Sequence, residues 1–307
     1  MERREFIKKS IKLMLAGGAY LSFGGRMRAS AAQGALASPV YDLVAVKGGE
    51  PERMFDRAIQ SLGGMQAFVK PNQTVVVKPN IGWAVGPERA GNTSPALVRR
   101  IIAHCLKAGA KTVYVFDHTC DNWSSCYATS GIEKAVKEAG GKIVPGNAEK
   151  YYHDVDVAGA KVLAQAKVHE LLLEADVFIN VPVLKSHGST RLTIAMKNLM
   201  GVVWDRGFWH RNDLHQCIAD FAAFRKPDLN VVDAYFVMKK NGPRGVSTSD
   251  VVTMKSQILS TDIVATDTAA AKLFGMDPAD VAYIGLADQR GAGTMDLTKL
   301  RIDRIVL

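Results

Sequence analysis

The sequence predicts an α/β fold with a mainly parallel sheet, helices on both faces and a cleft at the strand ends. Three observations carry this expectation. Short apolar runs alternate with helix-period patterns along most of the chain. Several runs, 74–77, 112–116 and above all 177–183, are apolar without alternation, as strands covered on both faces are. Polar residues recur where those runs stop, and in open α/β sheets ligands bind beyond the carboxyl ends of the strands.

Residues 1–31 are set apart from the fold. Arg3-Arg4-Glu5-Phe6-Ile7-Lys8 is a twin-arginine core, followed by an apolar run from Ile11 to Phe23 that is broken by Gly17 and Gly18. That run is too short to span a bilayer, and Ala29-Ser30-Ala31 supplies a small-residue cleavage site. The pattern resembles a bacterial twin-arginine (Tat) signal peptide. It implies the Tat export machinery as a partner, a periplasmic or otherwise exported protein, and no stable membrane span after cleavage. Residues 32–40 read as a linker and 41–307 as a single α/β domain. The leader also holds most of the charge: seven basic and two acidic residues give it +5 of the chain's +9. The body lacks a clustered basic face with stacking aromatics, which argues against nucleic acid as a partner.

The remaining elements follow from local signals. A strand over 41–46 leads to a helix opened by Pro51 and closed by Gly63-Gly64. The strand 74–77 is followed by Lys78-Pro79-Asn80. A helix from Pro95 to Lys107 begins after Thr93-Ser94, with a capping hydroxyl and proline just inside. The strand 112–116 ends in Asp117-His118; a loop over 119–130 leads to a helix over 132–138 and a strand over 142–144. The stretch 146–168 suits short edge strands, and a short helix over 171–174 feeds the strand 177–183. That strand delivers Lys185, Ser186 and His187 at its end, and a helix-like segment then brings Lys197 and Asn198. Residues 204–210 read as an aromatic and charged loop. Asn212 or Asp213 caps a helix through Phe224, and a strand over 229–232 ends in Asp233. A strand over 254–259, helices over 263–274 and 279–288, and a strand over 301–307 complete the chain.

Lys78 and Asn80, Asp117 and His118, Lys185 and His187, and Asp233 thus share one sheet edge in this reading. Lys78, Lys185 and Lys197 supply positive charge for carboxylate or phosphate or, when desolvated, amines able to act as base or nucleophile. His118 and His187 suit proton transfer or metal ligation, and with a carboxylate from Asp117 or Asp233 they form a candidate set for a divalent metal, His187, His118 and Asp117 being the residues named for it. Lys185, His187, Lys78 and His118 are the candidate catalytic residues; Asn80, Lys197, Asn198 and Asp233 are the candidates for holding a ligand or cofactor. His210 borders the pocket in this reading, whereas His215 packs. Asp262 is most simply a helix cap, and Asp262 and Asp267 are each placed to pair with a site lysine. The four cysteines form no iron–sulfur or structural zinc cluster. Cys105 and Cys217 read as core, and Cys120 and Cys126 bracket a loop where a disulfide can form. No dinucleotide fingerprint follows a strand, and neither a Walker loop nor a nucleophile elbow is present.

These residues also resemble a known family. Val77-Lys78-Pro79-Asn80, Thr93-Ser94-Pro95, Gly109-Ala110-Lys111, the run from Ile179 to His187, and Met196-Lys197-Asn198-Leu199-Met200-Gly201 are similar to segments of the DUF362 family. So are Asp213-Leu214-His215, Val231-Val232-Asp233-Ala234, Gly242-Pro243, and Asp262 with Val264-Ala265-Thr266-Asp267. The resemblance implies an α/β fold and no settled activity. Many relatives carry ferredoxin-like cysteine clusters, which this chain departs from. A more distant likeness is to the lactate racemase family, whose nickel-pincer cofactor uses lysine and histidine. Lys185 and His187 carry that comparison, though their spacing departs from its motif. The expectation is an exported enzyme binding a small anionic substrate or a metal-containing cofactor at a lysine- and histidine-rich cleft. The alternatives are a periplasmic binding or carrier protein without turnover, or a purely structural polar network.

Overall fold

The computed structural model describes residues 41–307, and the leader and linker expected over 1–40 lie outside the described residues. The strands are β1 (Leu43–Lys47), β2 (Thr74–Pro79), β3 (Thr112–Val115), β4 (Lys142–Ile143), β5 (Tyr152–Asp156), β6 (Gln165–His169), β7 (Val177–Val181), β8 (Val183–His187), β9 (Arg191–Thr193), β10 (Leu229–Met238), β11 (Val251–Ser260) and β12 (Ile302–Val306). Ten of them form one sheet in the order β12-β1-β11-β10-β7-β2-β3-β4, with β8 beside β10 and β9 beside β8. Within it, antiparallel pairing involves only β11 and β9. β5 and β6 make a separate antiparallel ribbon.

The unalternating apolar strands are explained by cover on both faces. Val75, Val77, Ile179 and Val231 enter one core, shared with Met54, Phe55, Leu97, Val98, Ile101 and Ile102 of the helices Pro51–Ser61 and Pro95–Lys107. Val76, Phe178 and Val232 point the other way, into a core completed by the helices Leu214–Phe224, Ile263–Phe274 and Ala282–Gln289. Side chains alternate across a strand, so each strand feeds both cores.

One polar row interrupts the second face. Register sets Lys78 opposite Asn180, Asn180 opposite Asn230, and Asn230 opposite Ser260. All four residues are fully buried, so their polar atoms need internal partners. The short helix Ala195–Asn198 supplies them. Asn198 Nδ2 donates to Asn180 Oδ1 at 2.8 Å, and Asn180 Nδ2 donates to Asn230 Oδ1 and to the Ala195 carbonyl, both at 3.0 Å. Asp267, on the helix Ile263–Phe274, fixes this segment from outside by accepting from Ala195 N at 2.7 Å and Met196 N at 3.1 Å.

Several boundaries depart from the sequence reading. The strand expected over 177–183 is two strands, because Pro182 has no N–H to continue the ladder. β8 then pairs with the second half of β10, Asp233 lying opposite Val183, so β10 runs on to Met238 and Asp233 sits inside the strand. The stretches 119–130 and 204–210, expected as loops, hold the helix Trp123–Thr129 and all but the last residue of the helix Arg206–Arg211, capped by Asn122 and Asp205. Ser94 makes no side-chain cap; its N–H donates to Asp233 Oδ2 at 2.7 Å. Thr93 Oγ1 instead donates to the Val181 carbonyl at 2.7 Å and accepts from Asn80 N at 2.8 Å, joining the ends of β7 and β2. Among the described residues, no helix is long and apolar enough to cross a membrane.

The Asp267 arrangement yields a prediction. Asp267→Ala strands two buried N–H groups, each costing roughly 1–3 kcal/mol. Urea denaturation is expected to show a loss of that order, whereas an unchanged midpoint would mean that the helix Ala195–Asn198 holds without its external cap.

Candidate functional site

The ends of β2 and β8, the segment after β3 and the helix Ala195–Asn198 enclose a cleft with about 420 Å³ of non-atom space, counting its open mouth. Its lining includes Lys78, Asn80, Asp117, His118, Lys185, His187, Lys197 and Asn198, together with Cys120 and Arg206. Asp233 does not line it. That carboxylate accepts from Ser94 N and, at 3.1 Å, from Tyr235 N, and burial raises its pKa to about 6. It ties β10 to the start of the helix Pro95–Lys107, which corrects the expectation that it holds a ligand.

The cleft floor is a connected polar network. Lys78, 1% exposed, donates at 2.9 Å to Asn198 Oδ1 and lies 2.9 Å from Asp117 Oδ1. The second carboxylate oxygen accepts from Ile81 N at 2.7 Å. Asn80 Nδ2 also donates to Asn198 Oδ1, at 3.1 Å, and Asn80 Oδ1 accepts from Lys185 Nζ at 3.3 Å. Lys185, equally buried, donates at 2.5 Å to the Gly91 carbonyl. Burial pulls the Lys78 amine below the ordinary lysine range against the opposing pull of Asp117. Lys185 has no carboxylate partner, and burial lowers it to about 7.

Lys197 makes no hydrogen bond or ion pair among the described residues, and desolvation brings its amine to about 8. Arg206 is locked in place, donating from Nη1 to the His118 carbonyl at 2.9 Å and from Nη2 to the Thr119 carbonyl at 2.8 Å.

The two histidines have opposite tautomeric roles. His118 Nδ1 lies 3.0 Å from the Val203 carbonyl and must donate to it, leaving Nε2 as an acceptor. Its ring stacks on Trp204 with centroids 4.8 Å apart, and burial, then Arg206, lowers its pKa. His187 Nδ1 accepts from Ser189 N at 3.0 Å and Thr190 N at 3.3 Å, so the neutral ring carries its proton on Nε2. Burial and the lysines Lys197 and Lys185 push its pKa down to about 3.

These roles do not fit the expected metal set of His187, His118 and Asp117. The acceptor nitrogen of His187 is occupied by backbone N–H groups, and Asp117 is engaged by Lys78 and Ile81 N. Among the described residues, no group of three or more His, Cys, Asp or Glu side chains is arranged to hold a metal ion. Four cationic side chains around one carboxylate also oppose a bare divalent cation.

Other candidates fall elsewhere. Asp262 is a helix cap, accepting from Val264 N at 2.9 Å and Ala265 N at 2.8 Å. Asp267 caps the segment before Lys197 and pairs with no lysine, and complete burial raises its carboxyl to about 8. His210 is exposed, its pKa lowered by partial burial and then by Lys197 and Arg206; His215 stacks near Tyr283 with centroids 6.1 Å apart. Cys105 and Cys217 are buried, and the bridge considered for Cys120 and Cys126 is not formed. Cys126 faces inward, toward the Gly82 carbonyl at 3.6 Å, while Cys120 is exposed in the cleft. Sequence reasoning missed Arg206, whose helix was taken for a loop, and Cys120, read only as half of a possible bridge. It also missed Asn180 and Asn230; a lone amide within an otherwise apolar run was their available signal.

Gly201 presses against the Lys78–Asp117 pair, and its carbonyl accepts from His118 N at 2.9 Å. A Cβ there would overlap Asp117 Oδ1 and the end of Lys78. Gly201→Ala is therefore expected to cost on the order of 1–3 kcal/mol in a denaturation curve. It should also perturb the environment of His118, read from its imidazole NMR signals. Wild-type values for both would show that the ion pair is not held as described.

The Synechocystis sp. protein described as "Thylakoid-associated protein sll1697" is 26% identical over 241 residues, covering 76% of this chain and 73% of that one. The lactate racemase apoprotein from Thermoanaerobacterium thermosaccharolyticum is 12% identical with a TM-score of 0.44. That match covers 69% of this chain and spans about half, 53%, of the other; a likeness of this degree carries no inference about chemistry here. The family described as "Domain of unknown function (DUF362)" matches residues 75–272, well over half of the 307-residue chain, and includes every lysine, histidine and amide of the cleft. The chain belongs to the DUF362 family.

Proposed function

We propose that the cleft binds a small anionic molecule of the carboxylate or phosphate class and transforms it by proton transfer. The observation that carries this reading is the charge balance of the lining: Lys78, Lys185, Lys197 and Arg206 surround Asp117 as the one carboxylate, which Lys78 already engages. Lys197 and Arg206 hold the anion. Lys185, with a pKa near 7, offers a neutral amine as base or nucleophile in a large share of molecules at neutral pH. His187 Nε2–H donates and His118 Nε2 accepts, so the cleft carries a proton donor and a proton acceptor of fixed tautomer. Asn80 and Asn198 keep the two buried lysines in register.

The site carries its own pH signature. A bound anion favours ammonium over amine at Lys185 and Lys197, whose pKa values of about 7 and 8 then rise on binding. Binding therefore takes up protons, and affinity is highest below pH 7 and falls as pH rises from about 7 to 9, by up to roughly tenfold per pH unit for each group. Titration calorimetry of the mature protein with sulfate at pH 7.5, in buffers of different ionisation enthalpy, is expected to show this uptake. Lys197→Met should weaken binding about tenfold or more, and Lys185→Met should remove the lower-pH step. Proton release, or affinity independent of pH, would overturn the assignment. Stoichiometric binding of a metabolite with no chemical change, across a broad panel, would make the protein a carrier instead of an enzyme.

We also propose export through the twin-arginine pathway, on the strength of Arg3-Arg4 and the small-residue site at 29–31. Replacing both arginines by lysine is expected to leave the protein in the cytoplasmic fraction. Unchanged export would rule that route out.

A further inference from the structure

Cys120 lines the same cleft and has no part in the roles above. Its position is fixed by its own backbone: Cys120 N donates to the Gly82 carbonyl at 2.9 Å, and Asp121 N reaches the same oxygen at 3.1 Å. The sulfur accepts from Arg206 Nη1 at 3.5 Å, and Lys78, Lys185 and Lys197 are all close enough to interact with it electrostatically. Gly82 borders the thiol: a Cβ added there would stand 3.9 Å from Sγ, in ordinary contact. A second observation points to a ligand at this place. Lys197, enclosed enough for desolvation to dominate its titration, has no hydrogen-bond or ion-pair partner among the described residues and opens on the cleft that the thiol lines. A thiol, an unpartnered amine and a fixed guanidinium together suit an anion that also carries an electrophilic carbon.

We propose that Cys120 is a nucleophile of this cleft and forms a reversible adduct with an anionic carbonyl compound. This rests on the anion-binding reading above. In the fraction of molecules whose Lys185 amine is neutral, the thiol proton passes to that amine, and the Sγ–carbon bond forms as the carbonyl π bond breaks. That electron pair moves to oxygen, which takes a proton from the Lys197 ammonium. Reversal restores all the groups, and no oxidant or reductant enters. Cys126, buried in the helix Trp123–Thr129, is excluded from this chemistry by its position.

The test uses the full mature protein and mass spectrometry of intact and digested chains. Rates of Cys120 alkylation by iodoacetate, which is anionic, and by iodoacetamide, which is neutral, are compared with the same ratio in the denatured chain. The native cleft is expected to raise the iodoacetate-to-iodoacetamide ratio at least about tenfold, as a focused positive field does. Added salt and Lys197→Met should both reduce the gain, and glyoxylate should protect Cys120 until dialysed away. A native ratio equal to the denatured one overturns the proposal. If sulfate still binds in that case, only the Cys120 assignment fails; if sulfate does not bind either, the anion cleft fails with it. A raised ratio without glyoxylate protection overturns the carbonyl class.

Discussion

Three lysine amines and a guanidinium are held around one carboxylate at the edge of a sheet, and the surrounding structure is arranged to tolerate that imbalance. Removing an ammonium from water is costly unless it is paired. The protein meets this in a graded way. Lys78 keeps its charge partner, Asp117. Lys185 has only neutral oxygens, from Gly91 and Asn80, and its basicity drops accordingly. Lys197 has no protein partner among the described residues. The gradient runs from an interior ion pair to an open cation, which is the feature the anion proposal rests on.

The fold supplies what this requires. Parallel strands under cover on both faces place Lys78 and the end of β7 side by side, and the break at Pro182 lets β8 carry Lys185 and His187 into the same space. The helix Ala195–Asn198 is too short to be stable alone. Asp267 holds it from one side, and the amide row Asn198-Asn180-Asn230 holds it from beneath. Gly201 then allows the chain to close over the Lys78–Asp117 pair and to fix His118 through its carbonyl. Partly satisfied polar networks are unstable in a core, so these contacts stand or fall together.

Much of this arrangement was legible in the sequence, for identifiable reasons. The helices at 95–107, 132–138 and 263–274 carried periodicity and boundary signals strong enough to place both ends. Lys78, Asn80, Asp117, His118, Lys185 and His187 were singled out because polar residues next to apolar strands mark the ligand-binding edge of open α/β sheets, and the fold brings them to one cleft. Asp233 followed the same rule and failed it. The pairing of β10 with β8 and β11 lengthens the strand beyond the point where local hydrophobicity stops, and pairing is a long-range property. Arg206 and Cys120 were hidden for a related reason: their roles depend on a contact across 86 residues that no local pattern records. The tautomers of His118 and His187, which do not fit the expected metal set, depend on a few backbone partners and have no sequence signature.

The central claim is that the cleft is an anion site whose free cation, among the described residues, is Lys197. The most direct measurement is a crystal of the protein soaked in bromide and read by anomalous scattering, which marks anions without presuming a substrate. The account predicts that the strongest bromide peak lies in the cleft, in contact with Lys197 and lost in Lys197→Met. Bromide confined to exposed surface lysines, with the cleft bare or holding a metal cation, would contradict it.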